Sequence, residues 1–431
     1  MFGKIKRIYT LAAAALLFSA PCAFAQTDGT YGGYSPYSVF GVGQLHQSGT
    51  AWNRGMGGVG IAARNNRFVN VLNPAAVTAR DSLSFMSDFG LTGRMSLYAD
   101  GGKKGVKTLF NIDDFVISFP MWRHTAFMAG VRPVSDVGYL ITSSTIDPDS
   151  GKQTFTSYGN GGVYQIFAGA GVTLWKRLSL GAQFNYHFGN IAKTASTSYE
   201  ETSYRDFLSG DSLRVSSAGV KFGLQYAQKL AGKHALTLGA TYQLSSRLNG
   251  QSVHYTEKGS YDREREALDL REQDLHLGSE LGVGLSYTIG DKFFAEFDYT
   301  RTDWSKSGLE RVKGFSSNGE LPFAPAVGQS FRVGAEYTPN RSDIRYFLRR
   351  CTYRAGAYYE QSYYTVGGSQ INSAGITLGM TLPVFRWYNG ISIGLELGRK
   401  GLGGAPVKEN YFGFNLGFNV FDIWFQKRAY D

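Results

Sequence analysis

The sequence predicts an all-β fold: a transmembrane antiparallel β-barrel of about 14 strands, with an N-terminal plug inside it. Three observations lead there. Apolar and polar residues alternate over long runs; the joins between runs switch between tight and long; and no stretch approaches the roughly 18 unbroken apolar residues of a membrane-spanning helix. Composition agrees. Of 431 residues, 15% are aromatic, 55 are Gly and only 11 are Pro, which is unlike an ordinary soluble domain.

The chain opens with a segment outside the fold. Lys4, Lys6 and Arg7 precede an apolar run from Ile8 to Ala20, and Ala23-Phe24-Ala25 reads as a cleavage site. Residues 1–25 are therefore expected to be a signal peptide. Of the formal charge of +10, three charges belong to that segment, which leaves about +7 for the mature chain. The basic residues are scattered, so nucleic acid is not the expected partner; anionic lipid is. Cys351 is the sole cysteine after residue 25, so no internal disulfide forms.

Residues 26–80 do not alternate. They are Gly-rich and end in "NVLNPAAVTARDS". Asn73 is a good helix N-cap, and Pro74 suits the first helical position, whose N–H has no intrahelical partner. Ala75 and the small residues after it extend one or two turns. A compact segment of this kind fits inside a barrel as a plug, and 55 residues is long for a mere tail.

From residue 81 to 431 the period is two. In "LSLGAQFNYHFG", Leu178, Leu180, Ala182, Phe184, Tyr186 and Phe188 oppose Ser179, Gly181, Gln183, Asn185 and His187. "ALTLGATYQL" from Ala235 and "NYFGFNLGFNV" from Asn410 repeat the pattern. Alternate side chains of a strand point to opposite faces, so each strand has one apolar and one polar face. Runs of about ten residues are long enough to cross a membrane when tilted. The polar faces carry Gly, Asn, Ser and Gln rather than charge, as a lumen does. Hydrocarbon offers bare backbone no partner, so the strands must close on one another.

Strand starts are read near 81, 107, 125, 153, 178, 213, 234, 275, 292, 328, 351, 369, 389 and 410. Tight joins fall at "MWRH", "LWKR", "LAGK" and "IGDK". Longer ones fall near 98–106, 145–152, 196–212, 254–274, 303–327 and 399–409. Short inner turns and long outer loops are the outer-membrane habit, although 339–350 is long for an inner turn and 365–369 short for an outer one. Trp122, Trp175, Trp304, Trp387 and Trp424 lie near strand ends, where indole favours a membrane interface.

Early "GMGGVGIA", then "NPAAV", then some fourteen strands resemble the FadL-type outer-membrane transporters of long-chain fatty acids and other hydrophobic compounds. Asn73-Pro74-Ala75 matches that family's Asn-Pro-Ala step in the hatch. "SPYSVFGVG" and the ending "WFQKRAYD" look like Bacteroidetes members of this broad group, which also includes PorV-type secretion-shuttle barrels. The resemblance implies a blocked lumen, an internal apolar pocket and a kinked third strand that opens the wall sideways. The third strand here, "TAFMAGVRPVSDVGYLITSS", has a candidate opening at Arg132, Pro133, Ser135, Asp136 and Gly138, because proline cannot donate to a ladder. Phe315, Leu321 and Phe323 in an outer loop are candidate entry residues.

Other motifs carry less. Gly55 to Gly60 fits G-x-G-x-x-G without the βαβ context of a dinucleotide site. The six histidines lack metal spacing, so neither metal nor cofactor is expected. "YDREREALDLREQD" mixes both charges in an outer loop and reads as a solvated face, with a short solvated helix or a divalent-ion site between lipid head groups as the alternatives. The expectation is a monomer in the outer membrane, bedded in lipid and lipopolysaccharide, that takes up a fatty-acid-like hydrophobic ligand by diffusion and is not an enzyme. A protein-secretion shuttle or a lipid-modifying enzyme is the alternative.

Overall fold

A computed structural model describes residues 35–423 except 48, 82, 101–102, 149–150, 202, 259–261, 312–322, 385–389 and 404–406. The expected signal segment, Phe315, Leu321, Trp387 and Trp424 lie outside the described residues.

The wall is built of 14 antiparallel strands. They are β1 (Ser84–Asp100), β2 (Lys103–Trp122), β3 (Thr125–Asp147), β4 (Gly151–Leu174), β5 (Leu178–Tyr199), β6 (Phe207–Lys229) and β7 (His234–Gln243), followed by β8 (Ser279–Ile289), β9 (Phe293–Asp303), β10 (Val327–Tyr337), β11 (Thr352–Val366), β12 (Ser369–Pro383), β13 (Gly390–Leu402) and β14 (Lys408–Ile423). Each pairs with the next. β14 returns to β1, from Ser84 opposite Ile423 to Ala99 opposite Lys408, so the sheet closes and leaves no lateral end.

The alternation sorts as its chemistry requires. On β5, Phe184 and Tyr186 face outward while Ser179, Gln183, Asn185 and His187 are buried within. On β7, Leu238 and Tyr242 face outward while Thr237 and Thr241 are buried. The barrel therefore presents an apolar surface to hydrocarbon, and the protein is an outer-membrane β-barrel.

Strand heights differ from the sequence reading. β3 to β6 contain 22 to 24 residues each, against 11 in each of β8, β9 and β10. The stretches near 145–152 and 196–212, expected as loops, are mostly strand: their Ser- and Thr-rich runs keep pairing above the membrane. The charged outer segment is also not helical. Asn249–Lys258 and Asp262–Asp269 form a hairpin that pairs with the upper part of β6, and only Leu270–Gln273 makes a short 3-10 turn. One side of the barrel thus stands taller than the other.

The plug packs inside. It contains a 3-10 turn at Pro36–Val39, a two-residue strand at Gln44–Leu45, a single helical turn at Ala51–Arg54 and a 3-10 turn at Pro74–Ala79. Asn73 caps the last of these, its side chain accepting the Ala75 N–H at 3.0 Å. Inward-facing glycines of the wall make the room. A Cβ on Gly223 would lie 2.7 Å from the Pro74 ring, one on Gly171 2.9 Å from Val77, and one on Gly379 2.9 Å from the Gly55 Cα. Gly223→Leu is expected to leave a closed barrel, seen as heat-modifiable migration in gels, while expelling the 73–79 turn. Overpacking of this kind costs about 1–3 kcal/mol. Limited proteolysis within the plug should then become fast; unchanged resistance would contradict the packing.

Candidate functional site: a plugged lumen beside an interrupted wall

The plug is fastened to the wall by polar groups that sit on the inward faces of strands. Trp52 donates its Nε1–H to Glu336 Oε2 at 2.8 Å, and Arg354 Nε donates to the same oxygen at 2.8 Å. Asp298 Oδ2 accepts the backbone N–H groups of Gly60 and Ile61 at 2.8 and 3.1 Å, and Glu296 Oε1 accepts that of Ala62 at 2.5 Å. Thr377 accepts from the Gly57 N–H at 2.7 Å. The Gly-rich run that mimics a nucleotide motif is therefore a row of backbone donors for carboxylates of the wall. Gly57 and Gly58 have φ of +72° and +80°, which side-chain-bearing residues rarely adopt.

Asn73, Pro74 and Ala75 lie at the centre of this docking. Besides capping its turn, Asn73 donates from Nδ2 to the carbonyl oxygens of Ile61 and Leu224 at 2.7 and 3.2 Å, and so ties two plug segments to β6. Pro74 and Ala75 are buried against Gly181 and Gly223.

Above the plug the lumen is sealed by a hydrophobic cluster. Phe40 stacks with Phe323 at a ring separation of 6.2 Å, and Trp304 packs on Tyr363 at 4.7 Å. Phe323, an expected entry residue, is buried in this seal rather than lining an open groove. Trp304 likewise belongs to the seal and not to an interfacial belt. Lys193 is buried and donates to the carbonyl oxygens of Val39 and Gly41 at 2.7 and 3.1 Å, which holds the N-terminal turn in the cluster. Burial pushes the Tyr37 phenol up to about 12, so it stays protonated and donates to the Val407 carbonyl.

Between seal and plug lies a cavity of about 310 Å³. Its lining is mixed. Ile61, Leu72 and Leu109 are apolar, whereas Arg94, Arg132 and Arg332 are cationic. This departs from the internal apolar pocket that the family resemblance implies, and from the expectation of a lumen with polar residues rather than charge. The charges are stabilised by partners: Arg332 meets Glu360 and Lys221 meets Glu280, both at 3.0 Å.

The wall beside this cavity is interrupted. β2 and β3 pair from Trp122 opposite Thr125 up to Phe115 opposite Val131, and no pairing between them continues above. Two bulges flank the point. On β2, Asp113 is an extra residue against Gly90 and Leu91 of β1; on β3, Val134 is extra between Pro133 and Ser135 against β4. Bulges bend strands and raise their twist, and Pro133 brings no N–H to the ladder. The two strands therefore diverge, although the ladder between β3 and β4 continues past the bulge.

The plug bridges this divergence. Gln44 and Leu45 pair with Asp136 and Ser135 of β3, His46 bonds the Asp136 carboxylate, and Ser35 N–H donates to the Gly138 carbonyl at 2.8 Å. On the other side, Arg54 meets Asp113 of β2 at 2.6 Å. Asp113 and Asp114 both turn inward and are buried, which consecutive strand residues can do only at a bulge. Of the third-strand residues singled out in the sequence, Ser135, Asp136 and Gly138 contact the plug. Arg132 lines the cavity and donates from Nε to Gln165 Oε1 at 3.0 Å. Arg54, Asp113 and Asp114 were missed, although "NIDDFVI" does break the alternation at the second Asp.

A closed 14-stranded wall, an N-terminal plug fixed by buried polar contacts and a bulged third strand define a plugged outer-membrane barrel whose fold is like that of FadL-type barrels. A BamG family model matches residues 4–431, so the chain belongs to the BamG family. Solved structures share the fold at low identity. The Pseudomonas putida toluene transporter TodX has a TM-score of 0.57 at 14% identity, over 91% of this chain and 100% of that one. The CymD monoaromatic hydrocarbon channel has a TM-score of 0.55 at 15% identity, over 90% and 100%. A Pseudomonas aeruginosa FadL homologue has a TM-score of 0.54 at 12% identity, over 88% and 100%. No protein of curated function matches in sequence.

The Arg354–Glu336 pair is a direct measure of how firmly the plug is held, because Trp52 shares the same carboxylate. Arg354→Met leaves Glu336 buried without its cation and should cost about 3–5 kcal/mol. The double variant Arg354→Met/Glu336→Gln should recover part of that. Denaturant midpoints in detergent measure both; equal midpoints for single variant and parent would contradict the role.

Proposed function

We propose that the protein carries hydrophobic or amphipathic small molecules, long-chain fatty acids among them, across the outer membrane without covalent chemistry, and releases them sideways through the wall. It would act as a monomer, with lipopolysaccharide around its outer half. The observation that carries this reading is the end of the β2–β3 ladder beside the cavity. Leu109 and Asn111 of β2 and Arg132, Pro133 and Val134 of β3 line that cavity, and the strands that hold them are not joined there. A solute leaving at this point passes from protein to hydrocarbon, so roughly 25 cal/mol per Å² of its apolar surface stays out of water. The lining favours an apolar body with a polar or anionic head, since apolar side chains and arginines share it. The printed names of the structural neighbours, hydrocarbon and toluene channels, support passage of apolar solutes.

A lipid-modifying enzyme has less support. His46 and His254 each bond a carboxylate, Asp136 and Asp211, yet neither ring has a serine hydroxyl as hydrogen-bond partner among the described residues.

Under this reading the strand Gln44–Leu45 must move for a solute to leave. Leu45 and Ser135 are cross-strand partners, so Leu45→Cys/Ser135→Cys in a Cys351→Ser background places two thiols for a disulfide. Oxidation is expected to stop uptake of a fluorescent fatty acid into cells or proteoliposomes, and reductant to restore it. Uptake indifferent to the disulfide would overturn the sideways route.

A further inference from the structure

The longest connection on the periplasmic side runs from Thr338 to Cys351, between β10 and β11. It is tied together by its own hydrogen bonds. Asp343 Oδ1 accepts the N–H groups of Arg345 and Tyr346, both at 2.8 Å. Asn340 N–H donates to the Arg349 carbonyl at 2.9 Å, and Phe347–Arg350 makes one helical turn. These bonds hold four large apolar side chains outward. Ile344 is 97% exposed, Leu348 63%, Tyr346 57% and Phe347 43%. A cluster of this kind in water would forfeit its apolar burial.

Its position explains the exposure. Tyr353 Oη donates to the Leu348 carbonyl at 3.0 Å. Tyr353 belongs to the outward face of β11 and lies opposite Tyr337 of β10, another outward residue. The C-terminal half of the connection therefore lies against the lipid-facing side of the wall, while Arg341 reaches Asp291 of the neighbouring inner turn at 3.7 Å. The charges fit the same place. Arg345, Arg349 and Arg350 adjoin the apolar residues in sequence, and the one acid in the connection, Asp343, lies 3.5 Å from Arg349. The Arg349 guanidinium sits 4.8 Å over the Tyr346 ring, and that of Arg350 5.2 Å over Phe347. Planar cations stacked on rings at a membrane boundary sit at the depth of lipid phosphates, which guanidinium binds in a forked geometry.

We propose that residues 340–350 form a phospholipid-binding ledge on the periplasmic leaflet. Ile344, Phe347 and Leu348 enter the acyl region, and Arg345, Arg349 and Arg350 hold the phosphate diester of the head group. The partner is a lipid surface, not a protein. The ledge fixes the height and rotation of the barrel on one side only, because the other described inner turns are tight: residues 123–124, 175–177, 230–233 and 290–292. It operates whether or not the cavity carries a solute.

Two measurements test it. A nitroxide at Leu348→Cys in the Cys351→Ser protein, reconstituted in nanodiscs of phosphatidylethanolamine and phosphatidylglycerol, should collide with oxygen and be shielded from a water-soluble nickel complex. A nitroxide at Leu238→Cys on the lipid-facing band gives the reference. Strong nickel collisions, or an immobile label reached by neither reagent, would overturn the ledge in favour of water or a protein contact. Separately, native mass spectrometry counts phospholipids retained by the full protein, with no engineered cysteine. Each change among Arg345→Gln, Arg349→Gln and Arg350→Gln should weaken retention about fivefold, which is the roughly 1 kcal/mol per basic residue at an anionic surface converted to a ratio. Equal retention by the triple variant and the parent would overturn the phosphate assignment, and fatty acid uptake by the triple variant reads separately on the transport proposal.

Discussion

The whole architecture answers to one constraint: inside hydrocarbon every backbone N–H and C=O must find a partner within the protein. Thirteen of the fourteen strand-to-strand seams meet it along much of their length by simple pairing. The seam between β2 and β3 does so only up to Phe115 and Val131, and above that point β3 turns to Gln44 and Leu45 of the plug. The plug is therefore not merely stored in the lumen. It completes hydrogen bonding that the wall leaves open, and Arg54 reaches across to Asp113 so that one segment touches both diverging strands.

Two rules govern the backbone contacts of residues 55–62 with the wall. Where backbones approach closely, the wall carries glycine. Where plug N–H groups would otherwise be orphaned, it carries Asp298, Glu296 or Thr377. An unpaired donor buried between two surfaces costs about 1–3 kcal/mol, so these few acceptors decide whether the plug is stable in place. Asp298 also lines the cavity.

Much of the fold was legible because period-two alternation reports directly on two environments. Leu180, Phe184 and Tyr186 had to face one medium and Gln183, Asn185 and His187 another, and the starts read near 125, 178, 234 and 369 match the strands closely. The heights were not legible. Ser- and Thr-rich stretches such as 142–145 and 194–198 suit a solvated sheet as well as a loop, and only pairing with neighbours decides between them. The site was legible in part. Asn73 and Pro74 announce a capped turn by local chemistry. The partners of Arg54 are a long-range matter, and inward charges such as Glu296 and Asp298 look in sequence like any polar-face residue until the plug is seen against them. The burial of Phe323 was not legible, because an aromatic residue in an outer loop serves equally to seal a lumen or to line its mouth.

The outer seal bears on how such a molecule is made. Phe40 interlocks with Phe323, and the chain beneath it is caught among strands drawn from the entire length of the protein. A segment held so far inside cannot be threaded in after the cylinder has shut. The segment from Ser35 to Ala79 must already be in position when the final strand joins the first, so biogenesis has to wrap the wall around it.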